Sequence, residues 1–233
     1  MAIAFVKDFY NESASTLTIP LTVPAGGIAA GNTLVLLINT DTTPTTVSGI
    51  ADASGTNAYA QINSVTTTPD LRSFLWYGII TTGLAAASTV TVTLSQATGG
   101  ACIAAEFSGL SSTPLDKDTS VQDVTTTHSS GSTAVTTQAD ELLVGGHVMH
   151  TTAAFTATGS FIQNETQASF GIWRTAMQYL IVAATGAYAS TGTTVGVETC
   201  NNHIATFKQA AAGGTPDTQT RRYQIRRSRM TSW

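Results

Sequence analysis

The sequence predicts an all-β protein: two tandem β-sandwich repeats of the Ig-like or jelly-roll type, followed by a basic C-terminal arm. The evidence is a composition poor in charge and rich in threonine, a series of short apolar or alternating segments, and an ordered internal repeat. Only 10% of the 233 residues are charged, against about 25% in an ordinary soluble domain, and 43 are threonine. Amphipathic helices and disordered chains both need more charge, whereas threonine on a half-exposed surface favours strands.

Thirteen segments have the length and pattern of strands and lie between Gly, Pro, Asn and Ser clusters. In the first half we predict strands at Leu17–Val23, Thr33–Asn39, Ala58–Val65, Ser73–Ile80, Thr89–Leu94 and Cys102–Phe107. In the second half we predict them at Thr119–Val124, Thr133–Thr137, Glu141–His150, Gly159–Gln163, Thr175–Val182, Thr194–Glu198 and His203–Lys208. Strands this short with turns between them are typical of sandwiches.

The internal repeat consists of four matches that keep their order along the chain. Residues 6–9 match 121–124, 31–36 match 139–144, 74–83 match 177–186, and 103–107 match 203–207. We therefore expect one repeat over 1–112, a second over 113–209, and a linker with an Arg-rich arm over 210–233. A single fused sandwich with halves related by a pseudo-twofold axis is the alternative.

Targeting and redox features are few. The start of the chain lacks a basic region, and Asp8 interrupts its apolar run, so we expect no secretory signal. The longest apolar run, 34–38, is too short to span a bilayer, and we expect no membrane partner. Cys102 and Cys200 are expected to be reduced and to act as small hydrophobic residues.

The histidines and acidic residues do not form a recognisable site in the sequence. His147 and His150 are three residues apart on a predicted strand, so their side chains should lie on opposite faces and not share a metal. The acidic segment 116–123 fails the calcium-loop pattern, because its sixth and twelfth positions are Val121 and Thr127. We expect His128 in a polar turn and His203 at the edge of the core.

The sequence contains none of the local motifs of common active sites. It has no Gly-x-Ser-x-Gly elbow and no phosphate-binding loop. Adjacent carboxylates occur only at Asp140 and Glu141. We therefore predict no catalytic residue, no metal, no cofactor and no enzymatic activity. A depolymerase-like hydrolase would require carboxylates that are distant in sequence to meet in a cleft.

Trp76 and Trp173 allow two interpretations. Both lie on or beside matching strands of the two repeats. We expect them to be core residues, since a sandwich core needs large inward side chains. If they were exposed instead, they would form a sugar-stacking surface.

The C-terminal arm, residues 217–233, follows a flexible linker at 210–216. Residues 1–212 carry 5 Lys/Arg and 13 Asp/Glu, a balance of −8, whereas residues 213–233 carry 5 Arg and 1 Asp, a balance of +4. We expect the arm to dock on an acidic protein neighbour, while a solvated tail or nucleic-acid binding are the alternatives. The docking residues would be Arg221, Arg222, Tyr223, Arg226, Arg227, Arg229 and Trp233.

A family resemblance rests on four short segments. Gly-Asn-Thr-Leu-Val-Leu at 31–36, Ala-Ser-Gly-Thr-Asn at 53–57, Ala-Ala-Glu-Phe-Ser-Gly-Leu at 104–110 and Pro-Leu-Asp at 114–116 resemble Thr/Ala/Gly-rich β-sandwich modules of tailed-bacteriophage virion proteins and some bacterial surface proteins. The resemblance spans about residues 15–208 and leaves out the arm. It implies a capsid-decorating, head-fibre or tail-adhesin role, and it transfers no catalytic residue.

The resulting expectation is a non-enzymatic virion protein that decorates or cements a capsid. It would be made in the host cytoplasm and be anchored by its arm to the major capsid protein or a neighbouring structural protein, forming homo-oligomers in the assembly and not binding nucleic acid. The alternative is a carbohydrate-binding adhesin of a phage tail or bacterial surface.

Overall fold

Antiparallel strands make up the regular structure of the protein. The computed structural model describes residues 2–41, 44–67 and 71–211, and within these ranges no helix is long and apolar enough to cross a membrane. The strands are β1 Ala4–Thr22, β2 Thr33–Thr40, β3 Val47–Asp52, β4 Ala58–Thr67, β5 Leu71–Ile79, β6 Thr89–Ser108, β7 Leu110–Ser129, β8 Asp140–Met149, β9 Thr156–Ala157, β10 Ile162–Phe170, β11 Trp173–Ala183 and β12 Thr191–Gln209.

The two halves of the chain have the same sheet topology. The first sheet has the order β1-β6-β2-β5-β4, with β3 beside β6; the second has the order β7-β12-β8-β11-β10, with β9 beside β12. Every pair is antiparallel. The prediction of an all-β protein with two repeated sandwich units is therefore confirmed.

The central strand of each sheet is buried on both faces. All eight residues of β2 are buried, as are all residues of β8 after Asp140. On β2, Val35 and Leu37 face the second sheet, while Leu34 and Leu36 face away from it. Burial on both faces explains why these strands appear in the sequence as continuous apolar runs and not as alternating patterns.

The sheets of the two repeats pack against one shared apolar core. Tyr77 of β5 meets Phe207 of β12 edge-on, with ring centroids 5.9 Å apart, and Tyr179 of β11 meets Phe107 of β6 in the same way at 5.7 Å. The reciprocal contacts relate the halves as a pseudo-twofold axis would. No linker separates them, because β7 begins two residues after β6 ends and contains the expected boundary at 112–113.

A second apolar cluster belongs to the first repeat alone. The late part of β1, the early part of β6 and the strand β3 cover the outer face of β2 and β5. The chain crosses closely at Gly100, where a Cβ atom would overlap the carbonyl oxygen of Asn39. Glycine is required there because nothing larger fits between the two backbones.

Several local predictions were wrong. The strand predicted at Gly159–Gln163 is largely a turn, because β10 begins only at Ile162. Residues 133–137 are irregular, and Thr133 and Thr136 bond instead to Tyr188 and Gly186. The two strands predicted at 89–94 and 102–107 are one continuous strand, β6. The two predicted at 194–198 and 203–208 are likewise one strand, β12. The strand β3 escaped prediction because its Gly and Asp interrupt a weak apolar pattern.

The predicted alignment of the two repeats is also shifted by one residue at β2 and β8. The sequence match aligned Val35 with Leu143, but the ladders place Val35 opposite Ala105 and Val144 opposite Ala205. Val35 and Val144 both face the shared core, whereas Leu143 lies on the other face of β8. A shift of one residue moves every side chain to the opposite face, so similar apolar runs align equally well in either register.

His203 joins the two repeats through hydrogen bonds inside the interface. Asn63 donates from Nδ2 to Asp118 Oδ2 at 3.0 Å, so its Oδ1 accepts from His203 Nδ1 at 2.6 Å. The Ser73 hydroxyl lies 2.7 Å from His203 Nε2 and donates to it when the ring is neutral. Burial, followed by the neighbouring His147, lowers the pKa of His203 to about 3.

Truncation of the shared core should destabilise both repeats together. Phe207 is fully buried, so Phe207→Ala should lower the free energy of unfolding by about 3–5 kcal/mol. Chemical denaturation is followed in two single-tryptophan backgrounds that retain Trp76 or Trp173. Both probes should report the same earlier transition, while the exposed-site control Val195→Ala should change little. An unchanged Trp76 transition would contradict a shared core.

Acid should destabilise the protein partly through His203. An unfolded histidine has a pKa of about 6.5, so below that pH the unfolded chain binds a proton that the folded chain rejects. The contribution of His203 is complete above about pH 6.5 and is lost toward pH 3, by up to about 1.4 kcal/mol per pH unit. Urea unfolding at pH 4–7 should show a shallower pH dependence for His203→Gln. The control Ser73→Ala keeps the ring and should keep most of the slope; equal slopes for His203→Gln and wild type would refute the assignment.

Candidate functional site

The outer face of the second sheet is polar at positions where that of the first sheet is apolar. The sheet ladders place three pairs of residues at corresponding positions. Each pair has an apolar or weakly polar member in the first repeat and a hydrogen-bonding member in the second: Ile38 and His147, Trp76 and Gln178, Cys102 and Asn202. Two copies with one topology therefore differ at their centre, and we take the polar centre as the candidate site.

The apolar cluster of this region is correspondingly small. Among the described residues the cluster in the second repeat has four buried members, Met149, Phe155, Ala176 and Cys200, against eighteen in the first. Polar side chains occupy the remaining space, and Phe155 stacks on the ring of His147 with centroids 4.3 Å apart. Hydrogen bonds must therefore hold side chains in place here, a role that apolar packing has in the first repeat.

His147 is held at both ring nitrogens. Asn202 donates from Nδ2 to the carbonyl oxygens of Val121 and Cys200, so its Oδ1 accepts from His147 Nδ1 at 2.8 Å. The Ser190 hydroxyl lies 2.8 Å from His147 Nε2 and donates to it. Burial lowers the pKa of His147 to about 4, so the ring is neutral near pH 7.

Gln178 completes this network from β11. Its Nε2 donates to Ser190 Oγ at 2.7 Å and to the carbonyl oxygen of Thr191 at 3.0 Å. His147, Gln178, Ser190 and Asn202 all have no exposed surface. The network is therefore a buried structural unit that no solvent molecule reaches directly.

Asp123, His128 and Cys200 form a second polar group beside this network. Asp123 and Cys200 are ladder partners on β7 and β12, and His128 returns from near the end of β7. His128 Nδ1 lies 2.7 Å from Asp123 Oδ1, and its Nε2 lies 3.0 Å from Thr194 Oγ1. One ligand atom from each member of the group lies within 4.8 Å of the others.

Cys200 is not placed to act as a nucleophile. Burial, with a smaller contribution from the Asp123 charge, raises the pKa of its thiol well above the ordinary value. A thiol without exposed surface is also closed to a substrate. The arrangement of Asp123, His128 and Cys200 therefore fits cation binding better than covalent catalysis.

A buried pair of carboxyl groups lies elsewhere in the second repeat. Burial, and then Asp116, raise the pKa of Glu141, whose side chain has no exposed surface. Asp116 in turn accepts from the backbone nitrogen and hydroxyl of Thr137 at 2.6 and 2.7 Å. These bonds tie the irregular segment 133–137 to β7, so the pair has a structural role.

Other histidine and acidic positions singled out in the sequence lie apart from one another. His147 is buried, whereas His150 is exposed beside Trp173, so the two rings have different surroundings. Asp118 accepts a hydrogen bond from Asn63 of the first repeat, whereas Asp116 accepts hydrogen bonds from Thr137. Both cysteines are free and buried, as predicted.

The interpretation of Trp76 and Trp173 as sugar-binding residues is corrected, because both side chains are buried. Trp76 is 9% exposed and lies in the core of the first repeat, and Trp173 is 6% exposed and lies in the shared core. Little of either ring is open to a sugar, because each is packed within its apolar cluster. The docking residues expected in the arm, Arg221 to Trp233, lie outside the described residues.

Asp123 and His128 carry no local signal that would group them in the sequence. Asp123 lies in a segment that fails the calcium-loop pattern, and the sequence predicts His128 in a polar turn. Cys200 is 72 residues beyond His128, and only the pairing of β7 with β12 brings them together. Comparisons with protein-family models, curated proteins and solved structures found no match.

Loss of one hydroxyl should destabilise the buried network. Ser190→Ala leaves His147 Nε2 and the Gln178 amide short of a partner, so the free energy of unfolding should fall by about 1–3 kcal/mol. The exposed-site control Ser48→Ala should stay within about 0.5 kcal/mol of wild type in the same denaturation experiment. Equal stability of the two variants would show that the network contributes nothing.

Proposed function

We propose that this chain is a non-enzymatic structural protein that works through protein–protein assembly. Its specific form would be the one that the sequence resemblance implies: a tailed-phage virion protein that decorates or cements the capsid surface. The host cytoplasm would be the site of its synthesis. The arm at 217–233 would anchor it to the major capsid protein or a neighbouring structural protein.

The observation that carries the proposal is the exposure of apolar side chains on corresponding edge strands. In the first sheet the edge strand β1 exposes Val6, Tyr10 and Leu17; in the second, β7 exposes Val121 and Val124. Edge strands carry unpaired backbone groups that invite other chains. Both β1 and β7 also contain charged residues and one proline each, so it is the exposed apolar side chains that favour contacts there. Two such edges in one body suit repeated contacts within an assembly, including contacts between copies of this chain.

The distribution of charge supports anchoring by the arm. The C-terminal segment at +4 would be attracted to the acidic surface of a neighbouring subunit, such as a second body at −8. Phosphates would be repelled by the acidic body, which argues against nucleic acid as the main partner. The adhesin alternative is not supported by its two aromatic candidates, because Trp76 and Trp173 are both buried.

Removal of the arm should separate folding from incorporation. We expect full-length chain to co-purify with virions when it is expressed in the infected host, and a 1–216 truncation to be absent from them. Circular dichroism of the purified truncation should match that of the full chain, because all twelve described strands end by Gln209. Particles that carry the truncation at wild-type level would refute anchoring, and absence of the full-length chain from particles would refute the virion role. An Arg→Lys variant of the arm, which keeps its charge, tests whether charge alone is enough.

A further inference from the structure

Asp123, His128 and Cys200 are the group of metal-ligating side chains that the described part of the chain brings together. They supply a carboxylate oxygen, an imidazole nitrogen and a sulfur, from two neighbouring strands. His128 and Cys200 are fully buried, while the Asp123 side chain is 23% exposed and gives the group contact with solvent. The group is therefore enclosed but accessible to an ion.

The surroundings of His128 suit a metal ion on its Nδ1. Nδ1 lies 2.7 Å from Asp123 Oδ1, so a nitrogen and a carboxylate oxygen stand side by side. A metal ion on Nδ1 would place the ring hydrogen on Nε2, 3.0 Å from Thr194 Oγ1. The Thr194 oxygen would accept that hydrogen while its hydroxyl donates to the carbonyl oxygen of Gly196 at 2.8 Å.

We propose that Asp123, His128 and Cys200 bind one Zn²⁺ ion, through a carboxylate oxygen, Nδ1 and the sulfur. Zn²⁺ takes these three ligand types at about 2.0–2.3 Å, and three protein ligands leave a fourth position for water. The three ligand atoms lie within 4.8 Å of one another, and side-chain rotation would have to draw them closer around the ion. The sulfur ligand favours Zn²⁺ over Mg²⁺ and Ca²⁺, which prefer oxygen.

Charge balance also fits a divalent cation. The Asp123 carboxylate and a Cys200 thiolate together neutralise Zn²⁺, so the enclosed site carries no net charge. Binding sends the thiol proton and any proton on Nδ1 to solvent. Outside the ligand shell, Thr194 holds the His128 ring by its Nε2 hydrogen, and the backbone nitrogen of Ser129 donates to Asp123 Oδ2 at 3.0 Å.

The position of the site gives the ion a structural task. It would link β7 to β12 in the repeat whose own apolar cluster is small, beside the register shift between Thr193 and Glu198. The free energy of metal binding adds to the free energy of folding when the unfolded chain has no formed site. Zn²⁺ would thus stabilise the second repeat where the first relies on apolar packing.

The test uses untagged full-length chain, stripped with a chelator and titrated with Zn²⁺ in a calorimeter and with Co²⁺ in a spectrophotometer. We expect one ion per chain and a thiolate-to-Co²⁺ charge-transfer band. Cys200→Ser should abolish the band and weaken Zn²⁺ binding at least about 100-fold. Asp123→Asn and Thr194→Val should weaken it by about 10–100-fold. The matched control Cys102→Ser removes the buried thiol of the first repeat and should bind like wild type.

The proposal is overturned if wild type shows no saturable binding, if Cys200→Ser binds like wild type, or if Cys102→Ser removes the band. Thr194→Val keeps all three ligands and nearly the same volume, so it remains informative if Cys200→Ser fails to fold. Wild-type affinity in both folded Thr194→Val and folded Asp123→Asn would also overturn it. None of these outcomes depends on virion incorporation, so failure here is distinct from failure of the assembly role.

Discussion

Burial of both faces of the central strands is the constraint on which the rest of the structure depends. One face of β2 and β8 meets the shared core, and the other must be covered from within the same repeat. The chain meets this need in the first repeat with long strands, β1 and β6, whose far ends return over the outer face. The tight crossing at Gly100 and the nearby shifts of register in β1 are consequences of that return.

The second repeat meets the same constraint with different chemistry. Its outer layer is reduced to the early part of β12, the end of β7 and the two-residue strand β9. Less apolar surface is available there, and a hydrogen-bonded network around His147 fills the space. A buried polar group without a hydrogen-bond partner lowers the stability of the fold. The network therefore restricts which side chains this repeat can accept at these positions.

The sequence was sufficient for strand content and for the order of the repeat, because continuous apolar runs and turn residues are local signals. It was insufficient for the face that each residue occupies, since the apolar runs of β2 and β8 are continuous and Val35 aligns with Leu143 as well as with Val144. The burial of Trp76 and Trp173 was expected as one of two interpretations, and only packing decides between them. Asp123, His128 and Cys200 could not be grouped, because a non-local ladder joins them.

The reciprocal ring contacts at the shared core have an evolutionary consequence. Tyr77 with Phe207 and Tyr179 with Phe107 form the self-complementary arrangement of an isologous interface, here contained within one polypeptide. A single repeat thus bears a surface suited to pairing with its own copy, as in a homodimer that preceded fusion of two genes. Fusion would have freed the two halves to diverge, and one of them could then exchange an apolar centre for the hydrogen-bonded network around His147 without altering the other.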